Sequence, residues 1–377
     1  MKALQVASFN GNIGDCANHT GFRQELKKWM PDIEYSNLEM RNFYHSWNKC
    51  KFDESFAEMA NQYDLLIFGG GGFFELKWDY SATGTTIDLS HEILALINTP
   101  ILFNCIGTSV AKGASEQAVA KFDSFLSEVI ERGDFVTVRN DGSYELLNKL
   151  YQNKYSDKIL RVPDGGFFCV PAHYEQPLIV HGYKNICINI AGDMPEIRFP
   201  GEEKLDRAGF VSEMAEFCNR ILERDEKIRL IFVPHILSDL KIISELMGLI
   251  SDWFLRMRVT CAGCYNGEAT GGLVNFDLYR KCDLVLGMRY HANVVPIGMN
   301  IPTIMLGTYE PHLSLCRDLN IMHRCVIANQ PRFTVELEKK VFQILGDQEN
   351  VQAENCHIRE KLQRDNDLYM KKICEWL

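Results

Sequence analysis

Arg289 and His291 stand two positions apart in the run GMRYHANVVPIGMNIPTIMLG, residues 287–307. The apolar residues 284–286 before them predict a strand end, and side chains two apart in a strand leave it on the same side. Burying both without partners would be costly, which favours a cleft over a core. There the arginine could hold an anionic substrate, and the histidine could transfer a proton near neutral pH. The alternative is an arginine–carboxylate ion pair beside a hydrogen-bonded structural histidine.

A second candidate is the loop after the first predicted strand, SFNGNIGDCANHTGF, residues 8–22. Gly11 and Gly14 would let backbone N–H groups approach an anion, ahead of a helix whose N-terminus favours negative charge. Asn12 could position a substrate group, and Asp15 places a carboxylate at the same rim. The alternative is a tight turn in which Asp15 caps the following helix.

Four consecutive glycines, residues 69–72, follow an apolar run. Such a series costs conformational entropy unless a close backbone approach requires it. No Gly-Lys-Ser/Thr follows it, so it is not a P-loop, and the dinucleotide-binding fingerprint is absent after the first strand. We expect Gly70 and Gly71 to form a ligand-facing wall, with strand–helix packing as the alternative.

Two further strand ends carry candidate residues. Arg139, in FVTVRNDGSYELL, could bind a phosphate or carboxylate with its planar fork, or pair locally with Asp141 or Glu145. His235 and Asp239, in IRLIFVPHILSDL, are secondary substrate-binding candidates, because a lone histidine at a strand end is more often a structural group.

Short apolar runs that alternate with amphipathic segments must position these candidates. Runs that are apolar on both faces are typical of parallel strands covered on both sides. They predict strands at 2–8, 64–69, 100–106, 135–139, 185–191, 228–234, 283–288 and 302–306. Apolar residues at helical spacing predict helices over 115–132 and 210–224. This alternation indicates an α/β fold.

The length of 377 residues suggests two domains. Residues 168–184 are the predicted boundary, because they contain two prolines and show no clear period. We predict two doubly wound, Rossmann-like α/β domains over 1–170 and 180–345, followed by a helix over 352–377. Ligands of such sheets bind beyond the carboxyl ends of the strands, so the domains are expected to face each other across a substrate cleft.

The composition is that of a globular protein, with 46% hydrophobic and 24% charged residues. A net charge of -10 argues against a nucleic-acid partner. The sequence shows no signal-peptide pattern and no apolar run near the ~20 residues of a membrane span, so no stable membrane insertion is expected. The 13 cysteines lie mostly in apolar segments, which indicates reduced thiols in a cytoplasm. The lone C-x-x-C at 261–264 is interpreted as structural, and no metal site is predicted.

The motifs follow one another in the order of a known family. GNIGD near the N-terminus, DLLIFGGGG, VRNDGSYELL and VPDGG lead to GMRYHANVVPIGMNIPTIMLGTYEPH. In this order they resemble the polysaccharide pyruvyl transferase family, over most of the chain. The most specific part is the pattern R-x-H-x-x-x-x-x-x-x-G-x-x-P, carried here by Arg289, His291, Gly298 and Pro302.

The resemblance implies a two-domain fold of the glycosyltransferase-B type and an enzyme of surface-polysaccharide synthesis. It implies transfer of a pyruvyl group from phosphoenolpyruvate to two hydroxyls of a sugar, with release of phosphate and formation of a ketal. His291 is implied to be the general acid and base, with Arg289 and Arg139 holding the donor's carboxylate and phosphate. Asp15 and Asn12 are implied to face the acceptor or donor from the N-terminal domain.

The resemblance implies no cofactor, metal or nucleotide beyond the donor itself. The implied acceptor is a sugar or a lipid-linked oligosaccharide, met in the cytoplasm with transient approach to the inner membrane face. Two positions depart from the family pattern. His312, in TYEPH, stands where members often carry a lysine, and is expected to lie at the substrate. GTSVAKG replaces a Gly-Pro that members often show after the third strand.

Two other functions fit the same architecture. The first is a glycosyltransferase that uses a nucleotide sugar, although no convincing E-x-x-x-x-x-x-E signature follows Arg289. The second is a non-catalytic sugar-binding relative that keeps the fold. The combination of Arg289 and His291 argues against this second alternative, whereas His312 in the lysine position argues mildly for it.

Overall fold

The computed structural model of the protein describes residues 1–267, 269 and 271–377. The strands, in chain order, are β1 (Lys2–Ala7), β2 (Glu34–Glu39), β3 (Leu65–Gly69), β4 (Phe74–Glu75), β5 (Ile101–Ile106), β6 (Thr108–Ser109), β7 (Phe135–Arg139), β8 (Leu160–Val162), β9 (Lys184–Asn189), β10 (Ile228–Phe232), β11 (Val259–Cys261), β12 (Leu284–Gly287), β13 (Thr303–Gly307) and β14 (Cys325–Ile327). The helices are α1 (Ile13–Trp29), α2 (Glu54–Ala60), α3 (His91–Leu96), α4 (Glu116–Glu131), α5 (Ser143–Leu150), α6 (Pro195–Arg198), α7 (Arg207–Arg224), α8 (Leu237–Met247), α9 (Asp252–Met257), α10 (Val274–Arg280), α11 (His291–Gly298), α12 (Glu310–Asp318), α13 (Phe333–Gly346) and α14 (Gln348–Trp376).

The strands form two six-stranded parallel sheets and one small pair. The first sheet has the order β2-β1-β3-β5-β7-β8, the second β11-β10-β9-β12-β13-β14, and β4 pairs with β6. In each large sheet the order reverses once, between β1 and β3 and between β9 and β12. Ligands of doubly wound sheets bind beyond the carboxyl ends of the strands at such a reversal. The fold prediction of doubly wound α/β architecture is confirmed.

Both faces of each large sheet are buried. In β9, Ile186 and Ile188 belong to one apolar cluster and Cys187 to another, as the two-residue period of a strand requires. In the first sheet Leu66 and Phe68 face one cluster, whereas Ile67 faces the other. This two-sided burial explains why the central strands read as continuous apolar runs.

The eight strands predicted from apolar runs are confirmed, with bounds that differ by at most two residues. The helix predictions over 115–132 and 210–224 are confirmed as α4 and α7. Ser115 caps α4 by accepting a hydrogen bond from the Ala118 N–H at 2.9 Å. Asp206 caps α7, which begins at Arg207, three residues earlier than predicted.

The chain divides into two compact units. The first contains residues 1–9, 18–165 and 362–377, and the second contains residues 10–17 and 166–361. Two details differ from the division made on the sequence. The loop at 10–17 belongs with the second unit, and α14 contributes residues to both units, changing from one to the other after Lys361.

Two expectations from the sequence concerned the state of the cysteines and the absence of a membrane span. Cys187 and Cys282 lie side by side, with Cα atoms 6.4 Å apart, and the expectation of reduced thiols stays a prediction. The other cysteines are free thiols. Within the described residues, no helix combines the length and the apolar character needed to cross a membrane.

Candidate active site

Arg289 and His291 lie where the second sheet reverses its strand order. β12 ends at Gly287, and the chain turns at once into α11, whose first residue is His291. Asn293 closes this turn, because its Nδ2 donates to the carbonyls of Gly287 and Arg289, each at 2.9 Å. The argument that both side chains leave an extended strand on one side is therefore wrong. They come from a turn and a helix start.

Arg289 is bound to a fully buried carboxylate, Asp239. Its Nε donates to Asp239 Oδ2 at 2.8 Å, and its Nη2 donates to Oδ1 at 2.5 Å. This bidentate pair fixes the plane of the guanidinium. Burial lowers the pKa of Arg289, but the carboxylates of Asp239 and Asp193 outweigh burial and raise this pKa above its ordinary value. Arg289 is therefore a fixed cation at this sheet edge.

Asp239 is itself held by the backbone. Its Oδ1 accepts the Gly192 N–H at 3.0 Å, and its Oδ2 accepts the N–H groups of His235 at 2.9 Å and Ile236 at 3.2 Å. It lies in the first turn of α8, where the helix dipole favours a negative charge. Asp239, predicted to bind substrate, thus positions Arg289, and a direct substrate contact stays a prediction.

A second carboxylate, Asp193, bridges Arg289 and Arg198. Its Oδ1 accepts from Arg289 Nη2 at 3.0 Å, and Arg198 Nε lies 3.5 Å from the same oxygen. Burial raises the pKa of Asp193, but the two guanidinium groups outweigh burial and lower this pKa below its ordinary value. The Asp193 side chain is 35% exposed, whereas the Asp239 side chain has no exposed surface. Two cations and two carboxylates therefore meet at one sheet edge.

Arg198 extends this cluster to the end of β13. Its Nη1 donates to Thr308 Oγ1 at 3.1 Å, and its guanidinium carbon lies 4.9 Å from the centre of the Tyr309 ring. The Tyr309 ring meets the buried His312 ring edge to face, with 4.4 Å between the ring centres. His312 therefore packs against the Tyr309 ring. A contact between His312 and the substrate stays a prediction.

His291 packs against the first turn of α1. A Cβ on Gly14 would lie 2.5 Å from His291 Nδ1 and 2.9 Å from its Cγ, so only glycine leaves room for the ring. His291 is nearly buried, with 6% of its surface exposed. This contact brings together two predicted site residues that are far apart in the sequence.

The remainder of the loop at 10–17 forms a turn and a helix cap. Asn12 Oδ1 accepts the Gly14 N–H at 3.0 Å, so Asn12 caps α1. Gly11 has a φ of 81° and donates its N–H to the Asn266 carbonyl. The structure thus contains the turn that the sequence left as an alternative. Substrate roles for Gly11, Asn12 and Asp15 stay predictions.

His235 is buried at the end of β10. Its Nε2 lies 2.8 Å from the Tyr279 hydroxyl, and its Nδ1 has no hydrogen-bond partner among the described residues. Burial, together with the nearby Arg289 and His291, holds the pKa of His235 well below its ordinary value. His235 is therefore a neutral imidazole inside the protein, which matches the structural alternative for it. Its predicted contact with substrate stays a prediction.

In the first unit, the glycine run packs against residues 18–19 of α1. Gly70 has a φ of 78°, and a Cβ there would lie 2.3 Å from Asn18 Oδ1 and 2.6 Å from His19 Cε1. Gly70 and Gly71 are buried, whereas Gly72 is exposed. The run thus serves strand–helix packing at Gly70. Ligand contact by Gly70 and Gly71 stays a prediction.

Arg139 ends β7 and pairs with Asp141 in the first unit. Its Nε donates to Asp141 Oδ2 at 2.8 Å, and the Asp164 carboxylate lies 3.8 Å from its Nη1. A Cβ on Gly107 would lie 2.7 Å from Arg139 Nη2, so the glycine of GTSVAKG lies against the guanidinium. The local Asp141 pair left open by the sequence is present, and anion binding by Arg139 stays a prediction.

The C-x-x-C segment contains two half-buried free thiols, Cys261 and Cys264. Burial, with a smaller effect of Cys264, raises the pKa of Cys261 to about 11. Across residues 1–267, 269 and 271–377, no group of three or more His, Cys, Asp or Glu side chains is placed to hold a metal ion.

Comparison with known families adds to this geometry. A family model, described as polysaccharide pyruvyl transferase, matches residues 12–309. This match covers most of the chain and includes the arginine–carboxylate cluster together with His291. The chain belongs to the polysaccharide pyruvyl transferase family. It is thus assigned to a family of transferases. No curated protein matches the sequence.

Solved structures share the fold of this pyruvyl transferase family member. UDP-GlcNAc 2-epimerase from Neisseria meningitidis aligns with a TM-score of 0.54 and 12% identity, covering 94% of each chain. The S. aureus MnaA–UDP structure gives 0.53 and 11%, covering 94% of this chain and 90% of that one. The glycosyltransferase SnogD from Streptomyces nogalater gives 0.50 and 13%, covering 97% and 96%. The predicted glycosyltransferase-B-like fold is confirmed.

The structure explains the last part of the family pattern, Gly298 and Pro302. A Cβ on Gly298 would lie 2.2 Å from the Phe167 carbonyl oxygen, so α11 must end in glycine here. Pro302 directly precedes β13, and its carbonyl accepts the Val285 N–H at 3.0 Å. These two residues thus serve packing and strand pairing behind the arginine–histidine turn.

Sequence reasoning missed Asp193, Arg198 and Thr308. Asp193 follows β9, at the reversal of the second sheet, in the segment AGDMPEIR. The Gly-Asp pair after β9 repeats the Gly-Asp pair in the loop after β1, which the sequence analysis had singled out. Asp193 could therefore have been recognised from the sequence as a candidate. Arg198 and Thr308 carried no comparable signal.

Proposed function

We propose that this pyruvyl transferase family member moves a pyruvyl group from phosphoenolpyruvate onto two hydroxyls of a sugar, forming a cyclic ketal. The observation that carries the proposal is the family match over residues 12–309, which includes Arg289 and His291. The geometry supports it, because a fixed cation and a histidine lie two residues apart at the sheet reversal where doubly wound folds bind ligands.

The first proposed step is proton transfer by His291. The imidazolium gives its proton to the methylene carbon of phosphoenolpyruvate, and positive charge develops on C2. One sugar hydroxyl attacks C2 and passes its proton to the neutral imidazole, which restores the acid. Packing against Gly14 fixes the ring during this exchange.

The second proposed step releases phosphate. The C2–O bond to phosphate breaks, the second sugar hydroxyl forms its bond to C2, and its proton leaves with the phosphate. One donor and one diol thus give one ketal and one inorganic phosphate. Proton transfer and charge stabilisation account for every step, so the proposal requires no cofactor.

We assign binding of the donor's negative charge to Arg289, with Arg198 as a second cation. Arg289 is held in place by Asp239, so it can present a fixed positive charge where the donor's anionic groups lie. Preorganised charge of this kind is a major source of catalytic stabilisation. We further propose a cytoplasmic enzyme of polysaccharide synthesis whose acceptor is a sugar or a lipid-linked oligosaccharide.

The proposal is tested by calorimetric binding of phosphoenolpyruvate to the wild type and to Arg289→Lys. Lysine keeps a positive charge beside the buried Asp239 but loses the planar fork. We expect a dissociation constant at least about tenfold higher, the equivalent of about 1.4 kcal/mol. The control is Arg256→Lys, at a surface ion pair on α9, and should bind as the wild type does. A protein that binds a UDP-sugar but not phosphoenolpyruvate would instead be a glycosyltransferase.

His291→Ala separates an enzyme from a non-catalytic relative. We expect this variant to keep phosphoenolpyruvate binding and to lose acceptor-dependent phosphate release by a factor of about 100 or more. The measurement is phosphate release over a panel of sugar acceptors, with the wild type in parallel. Equal release by both proteins would remove His291 from the mechanism.

A further inference from the structure

The two carboxylates that contact Arg289 differ in how they are held. Asp239 has no exposed surface and accepts three backbone N–H groups in addition to the guanidinium. Asp193 is 35% exposed, and the side-chain groups that contact its carboxylate are those of Arg289 and Arg198. Asp239 therefore belongs to the framework, whereas Asp193 can rotate toward solvent.

The hydrogen bonds of Arg289 determine where an incoming anion can bind. Its Nε and Nη2 face Asp239, while Nη1 and Nη2 also reach the two oxygens of Asp193, at 3.5 and 3.0 Å. Asp193 therefore covers the outer edge of the guanidinium. An anion that binds this edge must take the position of Asp193.

Charge leads to the same conclusion. Arg289 and Arg198 carry two positive charges, and Asp239 and Asp193 carry two negative charges. A further anion beside an intact cluster would leave an excess of negative charge in a partly buried place, which is unfavourable. An anion that replaces Asp193 finds the Arg289 guanidinium already oriented toward the site, with Arg198 Nε 3.5 Å from the position of the replaced oxygen.

We propose that Asp193 is a stand-in for the substrate's anionic group, holding Arg289 and Arg198 in position and moving out when that anion binds. The identification of this anion with the carboxylate or phosphate of phosphoenolpyruvate rests on the proposed function. Asp193 precedes Met194, which has a φ of 52° in the left-handed region that side chains other than glycine rarely adopt. The backbone is therefore strained next to the residue that must move.

The test compares the affinity of Asp193→Asn and wild-type protein for inorganic phosphate and for pyruvate, in separate titrations. Removing the competing charge should lower the dissociation constant of at least one anion roughly threefold to tenfold. The lower end of this range corresponds to the loss of one exposed ion pair. Asp239→Asn should do the opposite and weaken binding, because Arg289 loses its anchor. Asp252→Asn, at an exposed carboxylate on α9, makes the same charge change away from the cluster and should leave the affinity unchanged.

Equal or weaker binding of both anions by Asp193→Asn would overturn the inference and would make Asp193 a second anchor like Asp239. No detectable binding by either protein would overturn it as well. The probes also separate this inference from the proposed function. Tighter phosphate or pyruvate binding by Asp193→Asn, in a protein that does not bind phosphoenolpyruvate, would support the stand-in role and reject the proposed donor.

Discussion

The Arg289 guanidinium can lie at the edge of an apolar sheet because Asp239 offsets its charge with two parallel hydrogen bonds. The cost of burying Asp239 is offset in turn by backbone N–H groups at the start of α8. Breaking such a buried pair from one side is strongly destabilising. The candidate site is therefore built from a rigid pair and a more exposed third group, Asp193.

His235 makes a pH prediction at this scale. The pKa of His235 is held well below its ordinary value by burial, with Arg289 and His291 contributing, so the folded protein keeps it neutral. An unfolded histidine titrates near ~6.5, so below that pH the unfolded state gains a proton that the folded state lacks. The contribution of His235 to the free energy of unfolding is therefore present above this pH. It falls as the pH is lowered, by about 1 kcal/mol between pH 7 and 5.5.

The measurement is urea unfolding of the wild type and His235→Gln at both pH values. The loss of stability between pH 7 and 5.5 should be smaller in the variant by about 1 kcal/mol. Because other titrating groups are common to both proteins, their contributions cancel in this difference. Equal losses would show that the pKa of His235 is the same in the folded and the unfolded protein, which would contradict the lowered pKa.

At the scale of elements, the sequence patterns do not predict the strands at the sheet edges. In the two large sheets, the strands that were not predicted are the edge strands β2, β8, β11 and β14. Residues of β2 are half-buried or exposed, and β11 and β14 have three residues each. A continuous apolar run requires burial on both faces over several residues. Short or half-exposed edge strands do not provide it.

Gly298 makes a prediction at the scale of elements. The last residue of α11 touches the backbone of Phe167, which cannot move aside as a side-chain tip can. We expect Gly298→Ala to lower the free energy of unfolding by at least about 1–3 kcal/mol, the usual cost of overpacking. The control is Gly346→Ala near the end of α13, where a Cβ meets no atom within 4 Å.

Chemical denaturation of both glycine variants would check this. Gly346→Ala should raise stability by about 0.5–1 kcal/mol, because alanine is the better helix former. The two variants should therefore move in opposite directions. A Gly298→Ala protein as stable as the wild type would show that Phe167 and α11 are not locked together.

At the scale of the whole molecule, the first unit depends on the end of the chain. Residues 362–377 belong to it, and Tyr369, Met370 and Ile373 join an apolar cluster with Ile67 and Leu102 of the first sheet. This unit therefore cannot be completed until residues 362–377 are present. Contacts so distant in sequence are typical of folds that form slowly.

Tyr369 tests this dependence. Its hydroxyl donates to Asn104 Oδ1 at 2.7 Å, across 265 positions of sequence. Removing the hydroxyl leaves a buried acceptor without its donor, so Tyr369→Phe should lower the free energy of unfolding by about 0.5–1.5 kcal/mol. The measurement is the midpoint of urea unfolding, with Tyr80→Phe at an exposed tyrosine as the control. A shift no larger than that of Tyr80→Phe would contradict the structural role of this contact.

The sequence by itself determined the fold class, the central strands, the family and the Arg289–His291 pair. These features depend on local patterns: two-sided burial gives apolar runs, and the turn from β12 into α11 begins at a glycine, Gly287. Only the tertiary structure decided which side chains contact one another. Separate strand ends converge in the fold. This convergence brings Asp193 and Arg198 to Arg289, requires Gly14 to leave room for His291, and places residues 10–17 with the second unit. No local period records such convergence, because it depends on which strands become neighbours in the sheet.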